Sequence, residues 1–197
     1  MIFVIISSLQ TSIMRITILL LLICTACTNH RAGPKAFVLP QTLSIAAPAI
    51  PVGVTDYTGL HFPGWSIVTK QDYHTGFWSF YDEKILPFFT AVDINDDGYV
   101  DYGILIKKQD TVQLVILLNK NNSFTHQVAG NFLLPHYPDN KALQYCLLPE
   151  PPGQIDVVKP SIRSLILTTN AIQLMEMENR ICIYYWNNTT IAAFQTL

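Results

Sequence analysis

From residue 66 to residue 194 the apolar residues of this chain come in short runs, each closed by turn-forming residues. Residues 66–69 make a weak run and 77–81 an aromatic one. Residues 88–92, 100–107 and 111–118 follow, and 144–148, 164–168, 172–177, 181–186 and 191–194 complete the series. Between them stand Gln109-Asp110, Asn119 to Asn122, Pro151-Pro152-Gly153, Thr169-Asn170, Glu178-Asn179 and Asn187-Asn188. Such residues set tight turns through their φ preferences and their side-chain bonds to nearby backbone. Runs of this length between such turns read as strands, and no period of 3.6 is sustained over ten residues. The expectation is a mainly β fold, a small antiparallel β-sheet domain of hairpins with the last four strands as a meander. Residues 111–118 form its buried central strand. Helix is expected only as a short turn near 81–86 or 140–143.

Charged residues make up 13% of the 197, against about 25% in soluble domains. The net charge of −2 gives no electrostatic basis for binding nucleic acid or an anionic membrane surface.

Residues 1–27 read as a targeting segment. Arg15 precedes the apolar core at 16–23, the layout of a secretory signal. That core is short of the roughly 20 residues that span a bilayer. Translation from Met14 would leave the same signal without the uncharged extension before it. The core runs into Cys24-Thr25-Ala26-Cys27-Thr28, which resembles the lipobox of bacterial lipoproteins. The resemblance implies a lipid on Cys27, which would then be the mature N-terminus. It also implies a place in the cell envelope; Thr28 after the cysteine favours the outer membrane under that family's sorting rule. Cys24 stands where the family has leucine, and processing there, ordinary signal cleavage or a retained anchor are the alternatives. Residues 28–53, with Pro34, Pro40, Pro48 and Pro51 and no sustained period, read as an extended linker. The β-rich domain then runs over 54–197.

Within it, Asp93-Ile94-Asn95-Asp96-Asp97-Gly98-Tyr99-Val100-Asp101 places side-chain oxygens at Asp93, Asn95, Asp97 and Asp101. Gly98 lets the chain curl so that the Tyr99 carbonyl turns inward. Together these five residues offer the oxygen ligands a structural Ca²⁺ takes. Three carboxylates crowded together repel one another unless a cation lies between them. An EF-hand needs a bidentate Glu at loop position 12, where this chain has Ile104, and its flanks are helices. The loop, with the turn at 119–124 after it, resembles the strand–loop–strand calcium motif of FG-GAP/VCBS repeats. One copy occurs, so the propeller built from such repeats is not implied. The C-terminal stretch with Tyr184-Tyr185-Trp186 resembles secreted bacterial proteins of uncharacterised function.

Cys146 and Cys182 lie on two predicted strands. In an oxidising compartment they can form a disulfide, or they stay as two buried thiols. The five histidines show no metal-ligand spacing, and no nucleophile elbow, phosphate-binding loop or dinucleotide fingerprint occurs. The aromatics at 65, 77–81 and 184–186 read as core and cross-strand pairs. The expected function is a non-enzymatic binding or structural module of the envelope. It would be held to the membrane by its lipid, with a protein partner there and no small-molecule substrate in view. The alternative is an envelope hydrolase whose site is not a linear motif.

Overall fold

A computed structural model describes residues 49–82, 84–133, 143–177 and 179–196. The targeting segment with Cys24 and Cys27, the linker up to residue 48 and residues 140–142 of one expected helix lie outside the described residues. Strands hold 53% of what is described and helices 13%, in antiparallel sheets that do not close. The mainly β expectation holds. No described helix is long and apolar enough to cross a membrane.

Helix α1 (Val52–His61) leads into β1 (Ser66–Ile67), two 3₁₀ turns (Lys70–Asp72 and Thr75–Ser79) and β2 (Phe89–Val92). Strands β3 (Asp101–Lys108), β4 (Thr111–Lys120) and β5 (Ser123–Leu133) follow. They form the first sheet in the order β1-β3-β4-β5, with β2 also on β3. β2 and β1 share one edge of β3: β2 pairs with Asp101 to Ile104, and β1 with Ile106 and Lys107. The hairpin turns carry left-handed residues, Gln109 between β3 and β4 and the Asn121-Asn122 pair between β4 and β5. A two-residue turn with both φ positive matches the twist of the strands it joins.

The second sheet has the order β11-β10-β9-β6, from β6 (Tyr145–Glu150), β9 (Ala171–Glu176), β10 (Asn179–Trp186) and β11 (Ile191–Gln195). β7 (Gly153–Val157) and β8 (Arg163–Leu167) pair only with each other, as a separate ribbon. The expected meander therefore covers β9 to β11, and β8 leaves it to pair with β7.

The first sheet is the middle layer. Val112, Leu114 and Ile116 of β4 face Ile172, Leu174, Cys182 and Tyr184 of the second sheet. Val115 and Leu117 face Val54 and Phe62 on the other side, with Tyr57 and Trp65 around them. A strand covered on both faces reads as a continuous apolar run, which is how 111–118 reads. Gly103 of β3 permits the close approach of the sheets: a Cβ there would lie 2.9 Å from Ile172 Cδ1 and 3.0 Å from Thr90 Cγ2. The outer face of the second sheet is partly covered by the ribbon, through Ile155 and Leu167 against Ala171 and Ile183. Arg163 ties the ribbon down. Its Nη2 donates to the Gln195 carbonyl at 2.9 Å, and its guanidinium lies 5.3 Å from the centre of the Phe194 ring.

Residues 77–81, expected as a strand, contribute instead to the second 3₁₀ turn. His74 caps it, its Nδ1 accepting from the Gly76 N–H at 3.0 Å. The aromatics there pack locally, Phe77 stacked on Tyr81 and tilted against Tyr73, each at 4.5 Å, and not across a strand pair.

Candidate functional site

Residues 93–100 are the loop joining β2 to β3, so strands flank it on both sides. The loop closes on itself through its own side chains. Asp93 Oδ2 accepts from the Gly98 N–H at 2.9 Å, and Asp97 Oδ1 accepts from the Tyr99 N–H at 2.9 Å. The Asp97 N–H is shared by Asp93 Oδ1 at 3.2 Å and Asn95 Oδ1 at 3.3 Å. Asn95 Nδ2 donates to Asp97 Oδ2 at 3.1 Å. The curl needs left-handed backbone at Asp96 (φ 58°) and Gly98 (φ 84°). Aspartate tolerates that region better than most residues, and glycine takes it without steric cost.

Asp101 has another role. It is fully buried, and its two oxygens accept from the Ile94 N–H at 3.0 Å and the Asn119 N–H at 2.8 Å. Burial pushes its carboxyl up to about 6; the two N–H bonds oppose this, and Asp97 and Asp93 nearby add to it. Asn119 also donates from Nδ2 to the Val100 carbonyl at 3.1 Å and accepts from the Asn122 N–H at 2.9 Å. Asp101 and Asn119 thus join the acidic loop to the β4–β5 turn. Ile94 is buried in the core between the sheets. Its carbonyl accepts from Thr169 Oγ1 at 2.9 Å, and the Asp93 carbonyl accepts from Asn170 Nδ2 at 3.4 Å.

Of the five expected ligands, the fold brings the side chains of Asp93, Asn95 and Asp97 together at the surface of the loop. Tyr99 follows them on the exposed side, and Asp101 lies beneath, committed to two backbone donors. Among the described residues no group of three or more His, Cys, Asp or Glu side chains is placed to hold a metal ion. The oxygens of Asp93, Asn95 and Asp97 fit a hard cation as a chemical class, because each accepts one hydrogen bond and keeps a free lone pair. The sequence places Asn119, Thr169 and Asn170 in turns and gives them no part among the ligands. The only signal they carry is turn chemistry, since their partners lie far away in the chain.

Cys146 and Cys182 are both buried free thiols. They sit on β6 and β10, which flank β9, opposite Met175 and next to Leu174 in register. Two strand spacings amount to about 10 Å, beyond the roughly 7 Å limit for the α-carbons of a disulfide. Burial pushes the Cys146 thiol up to about 12 and raises that of Cys182.

A shallow concavity of about 920 Å³ lies where the ribbon tip meets β10, lined by Ile155, Val157, Val158 and Pro160 with Asp156, Lys159, Arg180 and Thr196. Arg180 is held by Glu150 Oε2 at 3.0 Å and by Gln173 Oε1 at 2.9 Å, and Asp156 accepts from Ser164 Oγ at 2.6 Å. No family model matches the chain, and no curated protein or solved structure is similar to it at a significant level.

Proposed function

We propose that this chain is a lipid-anchored protein of the bacterial cell envelope, anchored through Cys27, whose β domain is a non-enzymatic binding or structural module with one structural Ca²⁺ in the 93–101 loop. The observation that carries the calcium part is the grouping of Asp93, Asn95 and Asp97 over the buried Asp101 carboxylate. The carboxylates of Asp93, Asp97 and Asp101 in one loop are a repulsive arrangement that a divalent cation relieves. Asp93, Asn95, Asp97 and the Tyr99 carbonyl would hold the ion, and Asp101 would add charge from below. The bound ion supplies fixed positive charge. The loop it braces is already fastened to the β4–β5 turn through Asn119 and to the β8–β9 turn through Thr169. The role that follows is to stiffen the junction of three turns at one end of the two sheets, as a platform for an envelope partner.

Extracellular sites of this kind bind on the order of 10⁻⁴–10⁻³ M. Calcium at about ten times the dissociation constant should raise the melting temperature by roughly 3–6 °C, and Asp97→Ala should remove the increment. Equal melts in calcium and in chelator would end the calcium reading. The anchor is tested separately, by mass spectrometry of the N-terminus from a membrane fraction with and without Cys27→Ala.

A further inference from the structure

His61 ends α1, and His126 lies on β5 opposite Leu117 of β4. They are far apart in sequence, and no ligand spacing connects them. The docking of α1 on the first sheet brings their rings to a centroid separation of 5.7 Å, with the planes at 56°. Two imidazoles bound to one metal ion have centroids roughly 5–6 Å apart, given metal–nitrogen bonds of about 2.0–2.1 Å and ring centres about 1.1 Å further on. Both rings are exposed, so an ion can reach them from solvent.

Tyr57 holds both rings. Its hydroxyl is 2.9 Å from His126 Nδ1. Its own ring stacks on His61 at 4.0 Å and 27°. Phe62 closes the other side of His126 at 4.8 Å. A metal-bound histidine is usually oriented by a hydrogen bond at the ring nitrogen that does not ligate. Here the neutral ring can donate from Nδ1–H to the Tyr57 oxygen, which leaves Nε2 as the ligand.

We infer that His61 and His126 form a binding site for a divalent transition-metal ion of the imidazole-preferring class, Zn²⁺ with Ni²⁺ and Cu²⁺ as neighbours. No group of three or more His, Cys, Asp or Glu is assembled among the described residues. The remaining coordination positions therefore fall to water or to an incoming ligand. This site uses nitrogen ligands and is chemically independent of the oxygen-lined 93–101 loop.

The test is calorimetric titration of Zn²⁺ into the full chain carrying Cys24→Ser and Cys27→Ser, so that those thiols do not compete. One ion should bind. His61→Ala and His126→Ala should each weaken it at least tenfold, and Tyr57→Phe about tenfold through the lost orienting bond. His74→Ala, at an exposed histidine elsewhere, should leave the zinc affinity unchanged. NMR on the chain with both histidines intact removes any dependence on variants that fold poorly: the ring signals of His61 and His126 should move together as Zn²⁺ is added. The site is refuted if neither signal moves, if the His61→Ala/His126→Ala double variant binds as tightly as its parent, or if His74→Ala costs as much as His61→Ala.

Discussion

Asp101 is the residue on which the acidic loop rests, and its burial makes it sensitive to pH. In the unfolded chain its carboxyl titrates near the ordinary 3.8, and in the folded protein near 6. Between those values the folded state holds a proton that the unfolded state has released, so this group's contribution to stability is largest below about pH 4 and falls as pH rises through 6. Urea titrations in chelator from pH 4 to pH 7 should show that decline, and Asp101→Asn should flatten it. The thiols give a second residue-scale prediction. A thiol raised by burial is a poor nucleophile as well as an inaccessible one. Iodoacetamide at pH 8 should leave Cys146 and Cys182 unlabelled in the native protein and label both in denaturant, as read by peptide mapping. At this scale the sequence was informative where chemistry is local. The spacing of Asp93, Asn95, Asp97 and Gly98 was enough to place a polar loop between two strands, but not to show that it closes on its own side chains. The distinct role of Asp101 was not legible, because Asn119 reaches it only through the pairing of β3 with β4.

Helix α1 is the element whose sequence argues least for it. Its ten residues include Gly53 and Gly59, and several more are β-branched. No side chain caps its N-terminus. Val52 and Leu60 are 75% and 76% exposed, while only Val54 and Thr58 are buried. An apolar face two residues wide gives no readable period, so 52–61 was divided between linker and domain. Packing of Val54 and Phe62 on Ile104, Ile106 and Leu117 supplies what propensity lacks. Because Gly59 has open space where a Cβ would project, Gly59→Ala should stabilise the domain by about 0.4–1 kcal/mol in denaturant titration. β5 was missed for another reason. Its register shifts where Leu114 pairs with Gly130 and Val115 with Val128, leaving Ala129 as the extra residue. Such a bulge reverses the alternation of faces. Phe124 packs on the α1 side and Phe132 on the second-sheet side, although both are even-numbered. The aromatic run at 77–81 misled in the opposite sense, since aromatic β preference reflects packing as much as backbone.

For the molecule as a whole, mainly antiparallel β structure was legible from turn-punctuated runs. The layering of α1, two sheets and ribbon was not, because it depends on which face of each sheet meets which neighbour. The ribbon pairs with neither sheet, and Arg163 is one of the residues that hold it to β11. Arg163→Ala should speed hydrogen exchange in β7 and β8 while leaving β3 and β4 protected, as followed by mass spectrometry. Faster exchange across all four strands would show that the ribbon opens only with the whole domain. The shared edge of β3 has a further consequence. A long unpaired edge strand is a template onto which another chain can add and start aggregation. Along β3 that template is occupied by two short strands placed end to end, one of four residues and one of two. Neither is long enough to recruit a stranger, so the first sheet is closed to propagation on that side.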